Sequence, residues 1–393
     1  MTPLAISDYT VVSALGHGRA DHARALRDGR SGLQPRQFET AQIDSWLGVV
    51  GGIEALPWRA ELAEFDCRNN RLAELGLLSD DFAGAVQRAA ARHGHQRVGV
   101  FLGTSTAGIL QTELAYRRRD PVTGALPADL HYAETHNTGS LARYVRQRLG
   151  LAGPAFVVST ACSSSSKVFA SAARMIALGL VDAAVVGGVD SLCLTTLYGF
   201  RALELLSSDI CRPWDAERCG LSLGEAAAFA LLERQPEQVA GWLLGCGESS
   251  DGHHMSSPHP EGTGAATAMR LALADAGLAP DAVDYLNLHG TGTPSNDAAE
   301  DRAVSQVFGT QVPCSSTKGF TGHTLGAAGG VEAAISLLAL QHGQAPAGLN
   351  LRQRDPALQV RYLAEPMPAP LAVVASNSFG FGGSNACLLL GRA

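Results

Sequence analysis

Residues 156–180 read FVVSTACSSSSKVFASAARMIALGL, and their pattern decides the fold class. Phe156–Ser159 is a short apolar run with the length of a buried strand. It passes through Thr160-Ala161-Cys162 into Ser163–Leu180, which has no Pro, is rich in Ala and reads as a helix. The small residues around that helix suggest burial on every side. A strand that turns directly into a buried helix belongs to a layered α/β protein.

The same rhythm recurs. Arg97–Gly103 (RVGVFLG) is a buried strand ending in a Gly/Thr/Ser loop, and Ala183–Gly188 is another strand. Tyr285–His289 ends in Gly290-Thr291-Gly292-Thr293. Val312–Ser316 leads through a Gly-rich loop into a helix from about 326 to 341. Leu371–Ser376 runs into Asn377–Asn385, and Ala386–Leu390 completes a β pair. FLGTSTAG (101–108) resembles NLHGTGTP (287–294), and the Cys162 strand–turn–helix resembles the Lys318 strand–loop–helix. The chain therefore reads as two similar α/β halves, 1–240 and 241–393, with mostly parallel sheets covered by helices. The first 95 residues read as loop-rich and show no clear period.

Composition narrows the function. The chain of 393 residues is 46% hydrophobic and 17% charged, so it carries a large core and is not disordered. Only 6% is aromatic while Gly numbers 44, which suits closely packed helices and strands. The net charge of −7 without a block of like charges argues against nucleic acid. Arg117-Arg118-Arg119 reads as a solvated face. No apolar run reaches the roughly 18 residues that span a bilayer. Met1–Thr10 lacks a basic secretory n-region, so the expectation is a cytoplasmic protein with reduced thiols. None of the eight Cys forms a C-x-x-C pair, and the His-rich run 251–259 lacks spaced partners, so no metal is expected. There is no phosphate-binding loop.

Cys162 stands where a strand becomes a helix. The free N–H groups and positive dipole end of a first helical turn favour a thiolate and lower its pKa. The same N–H groups can hold the oxyanion of an attacked thioester. The bland alternative for any Cys is a small packing residue, and the other seven read that way. His289 and His323 both lie on Gly-rich loops after apolar strands, where rigid elements present functional side chains.

Four segments make the resemblance specific: Thr-Ala-Cys-Ser-Ser (160–164), His-Gly-Thr-Gly-Thr-Pro (289–294), Lys318-Gly-x-x-Gly-His323-x-x-Gly-Ala-Ala-Gly and Asn-Ser-Phe-Gly-Phe-Gly-Gly-Ser-Asn (377–385). In this order they resemble the signatures of the elongating β-ketoacyl-acyl carrier protein synthases, types I and II. The resemblance implies a thiolase-like fold, two similar halves in an α-β-α-β-α sandwich. It implies that Cys162 takes an acyl group from acyl carrier protein. His289 and His323 would then decarboxylate a malonyl extender and stabilise its enolate. Lys318 and Glu332 would order the site, and the Cys162 and Phe381 amides would form the oxyanion hole. Phe379 and Phe381 would gate the acyl pocket, and Thr291 and Thr293 would bind the phosphopantetheine arm. Asp297 and Glu300 match acidic structural positions, and the 251–259 run would lie at the pantetheine entrance. No cofactor is implied, since phosphopantetheine arrives on the carrier. The expected assembly is a homodimer, or a heterodimer with a ketosynthase-like chain-length factor, paired across the strand beside the nucleophile.

Some residues depart from the family pattern. Ser159 and Cys219 stand where relatives carry other residues, Glu204 leaves the docking surface open, and Leu4–Gly18 lacks the usual apolar β-formers. The opening and residues 163–200 look most like ketosynthases of aryl-polyene biosynthesis. Three rivals differ in stated residues. A thiolase needs a second Cys in the last Gly-rich loop, which offers none. A type III-like synthase uses Cys, His and Asn, whereas this chain offers two His. A non-catalytic chain-length subunit lacks the Cys kept here.

Overall fold

The computed structural model describes all residues 1–393. Ten strands carry the architecture. In the first half these are β1 (Leu4–Ser13), β2 (Val98–Gly103), β3 (Ala155–Val158), β4 (Ala183–Asp190) and β5 (Ala226–Glu233). In the second half they are β6 (Gly241–Ser250), β7 (Tyr285–Asn287), β8 (Cys314–Ser315), β9 (Val373–Gly380) and β10 (Ser384–Gly391). The spatial orders are β3-β2-β4-β5-β1 and β8-β7-β9-β10-β6, so each half reads third-second-fourth-fifth-first. The pairing senses match as well. The second strand is parallel to the third and fourth, and the fifth is antiparallel to the fourth and first. β1 and β6 pair antiparallel and join the halves.

The layers follow from which faces are apolar. Helices Arg68–Leu78, Phe82–His93 and Ser140–Arg148 cover the outer face of the first sheet. Helices Thr263–Ala276 and Pro294–Phe308 cover the second. Between the sheets lie Ser164–Ala177 and Ala328–His342, packed on strands of both halves. This is the α-β-α-β-α sandwich. Ala328–His342 is buried through Leu340, which explains its almost wholly apolar and small composition.

Three sequence expectations fail. The sheets are not mostly parallel: among these ten strands four pairings are parallel and five antiparallel, because the first and fifth strands of each half pair without a crossover helix. The first 95 residues are not mainly loop. They hold helices Arg68–Leu78 and Phe82–His93 and the ten-residue β1, buried throughout and central to the joined sheet. Its polar residues hid it, and tertiary partners satisfy them. Arg19 Nη1 donates to Asp8 at 2.9 Å, Thr10 Oγ1 donates to Asp80 at 2.9 Å, and Ser13 Oγ meets His22 at 2.7 Å. The helix after Cys162 is also shorter than expected, Ser164–Ala177, and is not buried all round. Lys167, Ser171, Arg174 and Leu178 form a less buried stripe, because this helix lies at the edge beside β3.

Candidate active site

Cys162 follows Ala161, whose φ of +52° is a strained conformation for a residue with a Cβ. The strain is held from both sides. The Ala161 carbonyl accepts from Ser164 Oγ at 2.5 Å and from Ser105 Oγ at 3.3 Å. The elbow aims the sulfur into a pocket also lined by His289, His323, Thr291, Thr293, Phe379 and Phe381. Cys162 Sγ lies 2.9 Å from His323 Nε2. The two imidazoles meet edge to face with centroids 5.3 Å apart.

His323 belongs to the second half but is strapped to the first. Its N–H donates to Ser222 O at 2.7 Å and its carbonyl accepts from Gly224 N at 3.0 Å. His289 is held by Glu300, whose carboxylate accepts from the His289 and Gly290 amides at 2.8 and 2.7 Å. Asp297 takes the Gly292 and Trp214 amides and faces Arg218 at 3.3 Å. These two acids therefore fix the 289–293 loop. Thr291 and Thr293 hydroxyls lie 2.9 Å apart at the pocket wall. Asp251, Ser256, Ser257 and Pro258 line the same pocket.

Lys318 and Glu332 are in direct contact, both buried. The Lys318 ammonium also donates to the His289 carbonyl and sits 3.4 Å from His289 Nδ1. An ammonium can only donate, so Nδ1 is unprotonated and the ring hydrogen is on Nε2. Burial first, and then the Lys318 charge, pushes His289 and His323 well below the usual histidine pKa. Both are neutral at pH 7. Burial raises the Glu332 carboxyl to about 7, with Lys318 pulling it down.

The thiol contradicts the sequence expectation. Burial pushes Cys162 up to about 12, although Lys318 and the Phe381 amide pull it down. The helix begins only at Ser164, with Ser163 as its N-cap, so the sulfur precedes the first turn. It is 6% exposed, and desolvation wins. The sulfur rests as a thiol, and His323 Nε2 is the base within reach of its proton.

The last Gly-rich loop completes the pocket. A Cβ on Gly380 would sit 2.6 Å from Thr160 O and 3.2 Å from the Cys162 amide, so glycine lets this loop lie on the nucleophile. Phe381 packs on Phe200 with centroids 5.5 Å apart, and Phe379 lies against His289 at 5.6 Å. Every residue singled out for the site thus falls around one pocket or directly behind it. The sequence reading missed Asp190. Its fully buried carboxylate accepts from Thr104 and Thr106 Oγ1, from the Ser105 and Thr106 amides, and from Gly326 N at 2.6 Å. It ties the loop behind Cys162 to the loop after His323. An acid closing an apolar strand was the available signal, but the strand was ended two residues early.

The pocket couples a buried thiol to two neutral imidazoles, with backbone amides beside the sulfur. Comparison with known proteins assigns that arrangement. The family models "Beta-ketoacyl synthase, N-terminal domain" and "Beta-ketoacyl synthase, C-terminal domain" match residues 81–238 and 240–352. A 3-oxoacyl-[acyl-carrier-protein] synthase 2 from Coxiella burnetii is 32% identical, covering 98% of each chain. Nodulation protein E from Rhizobium meliloti is 34% identical over 92% of each. A chain of the solved complex of the ketosynthase ApeO with its chain length factor ApeC, from Xenorhabdus doucetiae, is 40% identical. It superposes with a TM-score of 0.90, covering 99% of this chain and 98% of that one. The chain belongs to the β-ketoacyl synthase family, and it is a condensing acyltransferase. No helix is long and apolar enough to cross a membrane.

Proposed function

We propose that this chain extends acyl chains by decarboxylative Claisen condensation, with the acyl group held as a thioester on Cys162. The observation that carries the reading is the 2.9 Å contact between Cys162 Sγ and His323 Nε2, with His289 beside it in one pocket. The sulfur attacks the thioester of an acyl carrier protein as its proton moves toward His323, and the carrier leaves as a free thiol. The Cys162 and Phe381 amides hold the oxyanion. A malonyl thioester then binds, with Thr291 and Thr293 on its phosphopantetheine arm. It loses carbon dioxide as the His289 Nε2–H donates to the enolate oxygen, and His323 does the same with its ring hydrogen on Nε2, which no longer faces a free thiol once the sulfur is acylated. The enolate carbon attacks the acyl carbonyl and expels the Cys162 sulfur, giving the β-ketoacyl carrier protein. Lys318 and Glu332 hold His289, and Phe379 and Phe381 gate the acyl group.

We further infer a paired assembly in which this chain joins a ketosynthase-like chain-length subunit rather than its own copy. Three features mark the face that pairs, and the likeness to a complex names the kind of partner. The outer edge of β3 is unpaired, Phe156 and Leu178 are exposed beside it, and Lys167 is half-buried with no acceptor for its ammonium. The 40% likeness to a chain of the ApeO–ApeC complex favours a chain-length subunit on that face, and with the resemblance in residues 163–200 supports aryl-polyene chains as products. Intact-protein mass spectrometry with hexanoyl, palmitoyl and aryl-enoyl carrier proteins tests the reading, with Cys162→Ala as control. A mass gain on the parent that the control loses is expected. Size-exclusion with and without the chain-length subunit tests the pairing, and a stable homodimer that ignores it would refute the heterodimer.

A further inference from the structure

One turn past the nucleophile, Ser166 faces inward from the central helix. Its hydroxyl donates to Ser378 Oγ at 2.8 Å, and Ser378 Oγ donates to Glu332 Oε2 at 3.4 Å. The other oxygen of Glu332 takes Lys318, which reaches His289. All five side chains are buried. They form one chain from the nucleophile helix to an imidazole of the other half.

Space and chemistry both show that this contact is built. A Cβ on Gly329 would lie 1.9 Å from Ser166 Oγ and 2.9 Å from Ser378 Oγ, so glycine there makes the room the hydroxyls occupy. Apart from the neighbouring Ser165–Gly330 hydrogen bond, the central helices are lined by Ala and other apolar residues. Two hydroxyls in such a contact are unfavourable unless they end on a strong acceptor, and Glu332 is that acceptor. The direction is set by supply. Ser378 spends its single proton on the carboxylate, so it must accept from Ser166. Burial alone would favour the neutral acid, and a donor on each oxygen, Ser378 on one and Lys318 on the other, favours the carboxylate that holds the Lys318 side chain against His289.

We propose that Ser166 and Ser378 are positioning residues for the decarboxylating step, acting through Glu332 and Lys318 to hold His289 with its hydrogen on Nε2. This rests on the condensing reading above. It also explains why the serine run after the nucleophile is unbroken, since Ser163 and Ser164 serve the elbow and Ser165 Oγ accepts from the Gly330 amide at 2.9 Å.

The test uses Ser166→Ala, Ser378→Ala and the hydroxyl-retaining Ser378→Thr in the full chain with its assembly partners. Acyl loading on Cys162 and malonyl decarboxylation are measured separately from pH 5.5 to 8.5. Loading within about twofold of the parent is expected, because neither serine touches the sulfur. Decarboxylation should fall by about fivefold to tenfold, the worth of one hydrogen bond. Its acid limb should move to higher pH as Glu332 protonates more readily, and Ser378→Thr should recover most of the loss. Histidine-selective nitrogen NMR reads the His289 tautomer without turnover, so it judges the relay even if the condensing reading fails. Nδ1 unprotonated in the parent and a mixed tautomer in Ser378→Ala support the proposal. An unchanged His289 signal, or equal losses in loading and decarboxylation with an unmoved acid limb, would overturn it.

Discussion

The two halves share one strand order and one set of pairing senses, yet they hold opposite chemistry. After the second strand, the first half carries Thr104-Ser105-Thr106, a loop that supports the elbow, while the second carries His289. After the third strand, the first half turns at once into a helix and leaves Cys162 at the junction. The second half inserts Lys318–His323 before its helix begins at Ala328. At the end of the fourth strand, Asp190 binds loop amides in one half, and Phe379–Phe381 closes the pocket in the other. A repeated frame thus puts equivalent loops at one place, and divergence there divides the work. One half supplies the nucleophile and the other supplies neutral imidazoles.

That division can be broken by mutation. His289→Ala should reduce condensation by about 10²–10³-fold while acyl loading persists, because only His323 touches the sulfur. His323→Ala should slow both loading and condensation. Equal behaviour of the two variants in separated half-reactions would show that the imidazoles are not distinct.

The join between the halves should be next most sensitive. Glu332→Ala leaves the Lys318 ammonium buried without its acid and should cost about 3–5 kcal/mol in a denaturant melt. Lys318→Met with Glu332→Leu should regain most of that stability without regaining activity. If the single variant melts like the parent, the pair is not desolvated as described.

The finest test concerns the thiol. With its pKa near 12, the thiolate fraction of Cys162 is small and rises about tenfold per pH unit throughout the neutral range. Iodoacetamide alkylation of Cys162 should therefore climb from pH 6 to pH 9 without levelling. A plateau near pH 7 would mean that the helix end outweighs burial after all.

The sequence alone was enough for the elements with uniform environments. Residues 183–188 and 328–340 are buried throughout, and their apolar and small composition announces it. Cys162 was legible because an apolar strand turns into a helix at it, and His289 and His323 because Gly-rich loops follow apolar strands there. β1 was not legible, because Asp8, Thr10 and Ser13 find partners only in other segments, on Arg19, Asp80 and His22. The role of Asp190 and the Ser166–Ser378 contact were not legible for the same reason, since their partners lie 136 and 212 residues away in sequence and adjacent only in space. The charge state of the nucleophile was likewise decided by tertiary structure. Local position at a helix end favours a thiolate, but desolvation depends on what the second half packs over the sulfur, and burial is a property of the assembled fold.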